Sequence, residues 1–177
     1  MTNHGSGFPK FTSFYLLICL ILMHSIALSQ KTSSSELNLV SGLNSLDKKY
    51  MEAQKSLIDE LVRSMGQSLN GDVDHDIELL QRLLDSRKIK NNMTPELQAM
   101  GFVLGDLLAE ELDMHWVIYK DYVGRSRALR YKNSNNFLFP VTMISRRREV
   151  NNLTSVAKIY EKAFNSIYPL RDPLPFK

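Results

Sequence analysis

Residues 105–116 read Gly-Asp-Leu-Leu-Ala-Glu-Glu-Leu-Asp-Met-His-Trp, and the spacing of apolar side chains changes within them. Up to Leu112 the leucines recur at helical intervals, whereas beyond Asp113 the pattern shifts to alternation. A period of 3.6 giving way to a period of 2 marks a helix running into a strand. The chain is therefore read as α+β, and its other elements are placed outward from this junction.

Upstream, Thr94-Pro95-Glu96 has the composition of a helix start: a hydroxyl N-cap, proline at the first helical position and an acid in the first turn. Leu97, Met100, Gly101, Leu104, Leu107, Leu108 and Leu112 then fall on one arc, with Asp106, Glu110 and Asp113 opposite. Gly101 and Gly105, one turn apart, predict close approach of a neighbour, since each costs about 1 kcal/mol relative to alanine in a helix. Glu111 is the exception, because its angle lies inside the apolar arc. Downstream, His115–Tyr119, Ala128–Tyr131 and Phe137–Phe139 read as three short strands of an antiparallel meander. Pro140 ends the third or opens a short helix. Val156, Ile159, Tyr160, Ala163, Phe164 and Ile167 mark a closing helix that Pro169 stops. These elements make an α-β-β-β-α domain over residues 92–168, with 169–177 as a tail.

Before it, Leu43, Leu46, Tyr50, Ala53, Leu57, Leu61, Met65 and Leu69 trace the stripe of a long helix ended by Asn70-Gly71. A second helix from Val73 turns Ile77, Leu80, Leu83 and Leu84 inward, so residues 42–91 read as a helical hairpin. The first 29 residues hold one lysine, no acid, and an apolar run from Phe14 to Met23, too short to span a bilayer. Ala27 and Ser29 supply the small residues of a cleavage site before Gln30. Residues 1–29 are thus expected to be a signal peptide, with an uncleaved N-terminal anchor as the alternative, and 30–41 a flexible tether, the product being secreted or periplasmic and the mature chain without a membrane span. Cleavage would remove Cys19, the single cysteine, leaving neither disulfide nor thiol. A net charge of +3 over the whole chain is too small to imply nucleic acid.

Met100-Gly-Phe-Val-Leu-Gly-Asp-Leu-Leu-Ala-Glu-Glu-Leu112, Trp116, Ala128-Leu-Arg-Tyr131 and Leu138-Phe-Pro-Val-Thr-Met-Ile-Ser-Arg146 together resemble the bacterial domain-of-unknown-function family 3806 over about residues 94 to 165. The chain departs from that pattern in having Asp113 where the family tends to have glycine, and a triple arginine at 146–148 in place of a single basic residue. The resemblance implies a fold and a bacterial source, and it supplies no activity, substrate or catalytic residue.

Candidate sites follow from charge placement. Glu111 is expected either to reach water from the rim or to form a structural ion pair with Arg130 across the helix–sheet seam, with His115 as second partner. Arg125, Arg127, Arg130, Lys132, Arg146, Arg147 and Arg148 form two basic segments that a meander would bring together. They read as a solvated face or as an anion-binding surface, with Arg125, Arg127, Arg146, Arg147 and Arg148 as its core. Asp72, Asp74 and Asp76 alternate as in a calcium loop, but the glycine and the terminal glutamate of that loop are missing, and a helix N-terminus explains them as well. His75 and His115 lack metal-ligand spacing, and Trp116 reads as a core anchor. The chain carries no nucleophile elbow, zinc-protease motif, P-loop or dinucleotide turn. The function expected is a small exported binding or interaction module with no cofactor, no metal and no catalysis of its own. Its partner would be an envelope protein or an anionic surface. The alternative is a hydrolase-like enzyme using Glu111, Asp106 or His115 in a cleft between helix and sheet.

Overall fold

The computed structural model describes Met1 and residues 39–171. The expected signal peptide, the cut before Gln30, most of the tether and the end of the tail lie outside the described residues. The elements run β1 (Leu39–Gly42), α1 (Ser45–Arg63), α2 (Val73–Asp85), α3 (Thr94–Leu112), β2 (Met114–Lys120), β3 (Arg125–Tyr131), β4 (Phe137–Leu138), a 3-10 turn (Pro140–Thr142), α4 (Ser145–Glu149), α5 (Val156–Ile167) and a second 3-10 turn (Tyr168–Leu170).

The α+β class holds, but the sheet has four antiparallel strands in the order β1-β2-β3-β4 rather than three. The extra strand comes from the end of the segment read as a tether. Leu39 pairs with Lys120 and Gly42 with Val117, which covers the free edge of β2. No alternation announces so short an edge strand; its partner defines it.

The helix-to-strand junction falls where the period changes. Asp113 adopts a left-handed conformation (φ 53°, ψ 46°), and its N–H bonds the carbonyl of Ala109. Glycine favours that conformation, and aspartate tolerates it at some cost. The helix before it is less amphipathic than its arc suggests: Ala99, Phe102 and Val103 are buried along with the leucines. The reason is position, since α3 is packed by α1, α5, β2 and the turn after β4. A Cβ on Gly101 would lie 2.6 Å from the Pro140 carbonyl and from the Val141 Cα, and one on Gly105 would overlap the Trp116 ring. The two glycines are therefore what lets the Pro140 turn and Trp116 lie directly on the helix.

The hairpin reading needs two corrections. Helix α1 packs mainly on α3, and α2 mainly on α5, rather than chiefly on each other. The buried side of α1 is Asp47, Met51, Ile58 and Val62, while Leu46 and Tyr50 of the expected stripe are 76% and 43% exposed. The two candidate stripes lie one residue apart, a rotation of about 100°, and the packing against α3 selects between them. The helix also ends at Arg63, leaving Met65 and Leu69 to reach the core from the following loop.

Candidate anion-binding cavity

The site begins with the start of α1. Asn44 caps the helix by accepting the Asp47 N–H at 2.8 Å, and Asp47 in turn accepts the Asn44 N–H. This reciprocal box fixes the Asp47 side chain in the first turn. On β3, Arg125 and Arg127 are two residues apart and so project from one face, the face that also carries Leu129 toward α3. Both reach Asp47: Arg125 Nη2 donates to its two oxygens at 2.7 and 2.6 Å, and Arg127 Nη2 to one at 3.0 Å. The Arg125 hydrogen bond, against the opposing effect of burial, holds the Asp47 carboxyl below its ordinary range. The carboxylate is 3% exposed, so the triad is covered at its acidic end and open at its basic end.

That open end lines a cavity of about 470 Å³. Tyr50, Phe102, Phe139 and Val141 give it apolar walls, and Arg125, Arg127, Arg146, Gln98 and Thr142 supply the polar groups. The Arg127 guanidinium lies 4.3 Å over the Tyr50 ring, which meets Phe102 edge-on at 5.9 Å. Asp47 uses only the Nη2 of Arg127, and its buried Nε has no acceptor. Arg146 enters from α4 and has no ion pair or hydrogen bond among the described residues. Asp121 also lines the cavity, but its Oδ1 accepts the Val123 and Gly124 N–H groups in the hairpin turn.

The structure thus joins three of the five arginines expected to bind an anion and separates the other two. Arg147 donates to the Met143 carbonyl. Arg148 is 7% exposed on the inner side of α4, and its Nε lacks an acceptor. The expected Glu111–Arg130 pair is not formed. Arg130 donates to the Ser134 and Asn133 carbonyls at 2.7 and 2.9 Å and lies over the Phe137 ring. Because Leu129 and Tyr131 are the residues that face α3, Arg130 is directed to the far side of the sheet. Glu111 is exposed, as the rim reading had it, and its backbone carbonyl accepts from Arg171 at 3.0 Å. Burial, with help from the charges of Glu111 and Asp74, pushes the nearby Tyr160 hydroxyl up to about 12.

The three residues of the enzymatic alternative do not converge. Asp106 accepts from Trp116 Nε1 and from Lys55 Nζ, each at 2.8 Å, and serves as a brace between α1, α3 and β2. Burial alone would lower Lys55, but its bonds to Asp106 and Glu52 hold it above its ordinary value. Glu111 lines a separate acidic cavity with Asp72 and Glu110. His115 alternates with Trp116 and so occupies the far face of the sheet. The acids of the supposed calcium loop serve the turn before α2: Asp72 caps His75 at 2.9 Å, and Asp76 accepts the Asn70 and Gly71 N–H groups at 3.0 and 2.9 Å. Among the described residues no three His, Cys, Asp or Glu side chains are grouped to hold a metal. No helix among them is long and apolar enough to cross a membrane.

Asp47, Gln98 and Phe102 carry no signal of a site in the sequence, and the helical stripe points Tyr50 to the core. The Asn44-x-x-Asp47 spacing does signal a capping box. Nothing local ties that acid to arginines 78 and 80 residues away.

None of the curated proteins matches the chain. A solved protein from Bacteroides thetaiotaomicron VPI-5482 shares the fold, with a TM-score of 0.67 at 16% identity over 77% of this chain. The chain spans about half the length of that protein, 51%. Residues 76–160 match the family described as Domain of unknown function (DUF3806), a match that begins in α2 and so reaches further upstream than the motifs between Met100 and Arg146. By that match, residues 76–160 belong to the DUF3806 family.

Proposed function

We propose that the protein is a small exported binding module whose ligand is held as an anion in the Tyr50–Arg127–Arg146 cavity. The observation that carries this reading is the convergence of Arg125, Arg127 and Arg146 from two separate elements on one concave surface. Two of these guanidinium groups are already ordered by Asp47, which lowers the entropy lost when they bind a ligand. Guanidinium donors suit planar or tetrahedral oxyanions, and each unused N–H is a site for a charge-assisted hydrogen bond. The cavity volume is within the range of small-molecule sites. Export rests on the apolar run Phe14–Met23 and on Ala27 and Ser29.

Calorimetric titration with small carboxylates and phosphates tests the binding reading. Binding is expected at low salt, to weaken as salt is added, and to fall several-fold in Arg146→Ala. Absence of binding, or binding indifferent to that substitution, refutes it. N-terminal sequencing of protein recovered from a cell fraction tests export: a start at Gln30 is expected, and a start at Met1 rejects it.

A further inference from the structure

We infer that the ligand of this cavity is a small molecule that joins one acidic head group, a carboxylate or a phosphate monoester, to a flat unsaturated body. The inference rests on the anion-binding reading above and narrows it. Three observations carry it.

The first is how little free positive charge there is. Of the basic residues in the two segments, Arg130 is used by carbonyls of its own turn, Arg147 by Met143, Lys132 lies over the Tyr131 ring, and Arg148 is buried. Arg125 and Arg127 share the negative charge of Asp47. What remains is a single concave cluster with Arg146 as its unpartnered guanidinium, not an extended basic surface of the kind a polyanion needs.

The second is the state of Arg127. Its Nε is sealed from solvent, and its guanidinium carbon lies 4.3 Å over the Tyr50 ring. Asp47 takes only its Nη2, so Nη1, which has no acceptor among the described residues, is the donor left for an acidic head group. The head group is therefore placed at Arg127 and Arg146, both of which line the cavity.

The third is the rest of the lining. Tyr50 is 43% exposed and Phe139 36% exposed, so both present ring surface at the cavity walls. Aromatic walls favour flat partners by offset or edge contacts, whereas a bare phosphate or acetate would leave them unused. The Arg127 guanidinium, 4.3 Å over the Tyr50 ring, extends the same wall.

The test compares probes that differ in one part at a time: benzoate against acetate, phenyl phosphate against inorganic phosphate, and a heparin oligosaccharide, each titrated into the full chain. The aromatic acids are expected to bind about tenfold more tightly than their bare head groups. Tyr50→Ala should abolish that preference, and Arg146→Ala should weaken both members of each pair. Thermal melting of the two variants confirms that they are folded. Equal affinity for aromatic and bare acids overturns the ligand class but leaves the anion cavity intact. Tighter binding of the oligosaccharide overturns the confinement to one small molecule. No binding of any anion overturns both readings.

Discussion

The two basic segments, 125–132 and 146–148, look alike in composition and behave differently in the fold. On β3, arginines at alternate positions share a face, so Arg125 and Arg127 converge on Asp47, and Arg130, out of phase, leaves for the other side. On α4, three consecutive arginines are fanned by about 100° each. Arg146 enters the cavity, Arg147 bonds a backbone carbonyl, and Arg148 is buried. A run of like charges is thus a patch only when its spacing matches the period of its element. The strand gathers its arginines around one carboxylate, and the helix scatters them.

The comparison is most easily broken at Asp47. Asp47→Asn keeps the capping geometry but leaves two guanidinium groups without a counter-ion. Removing one partner of a fully buried pair costs about 3–5 kcal/mol. Here the arginine side chains are 43% and 23% exposed, so water reaches them, and a loss of about 2–3 kcal/mol is expected in urea denaturation. The pH dependence has a definite sign. Because Asp47 titrates below its ordinary value when folded, the triad stabilises above the unfolded carboxyl value of about 4, and that stability is lost as pH falls through the lower folded value. The gap between wild type and Asp47→Asn should therefore narrow on acidification. A gap constant from pH 7 to pH 3 would mean that the triad is not ionic in effect.

The second variant severs the two segments from each other. Gly101→Ala would set a methyl group 2.6 Å from Pro140 and Val141 backbone atoms, which cannot yield as a flexible side chain would. The turn leading to Arg146 must then move off α3. A loss of about 1–3 kcal/mol is expected, with anion affinity reduced although no cavity arginine has changed. Unaltered binding would show that Arg146 is not positioned by this contact.

The smallest effects test the fan of α4. Arg148→Met replaces a buried arginine that has no acid partner among the described residues with an apolar side chain of similar length. It should be neutral or stabilising, within about 1 kcal/mol. Arg146→Ala, at an exposed position without a partner among the described residues, should change stability by less than about 0.5 kcal/mol while weakening the anion. If Arg148→Met weakened the anion and Arg146→Ala did not, the placement of the anion beside Arg146 would be refuted.

The same distinction separates what could be read from what could not. The junction at Asp113, the strands of β2 and β3, the closing helix and the close approach at Gly101 and Gly105 were legible, because each depends on residue spacing within one element. The rotation of α1 was not, since Leu46 and Tyr50 compete with Met51 and Ile58 for the buried side and contact with α3 chooses between adjacent stripes. The face of β3 was misassigned for a related reason. Alternation says that Arg130 opposes Leu129 and Tyr131, and only the helix packed on the sheet says which set is inside.

By itself the sequence determined the order and kind of most elements and the grouping of arginines into two segments, because those are properties of local period and composition. Tertiary structure alone decided that Leu39–Gly42 is an edge strand, that Asp47 rather than Glu111 receives the arginines, and that one arginine of the triple run reaches the cavity. The physical reason is that an edge strand needs a partner, an ion pair needs two distant residues brought within about 3 Å, and a cavity exists only between elements already packed.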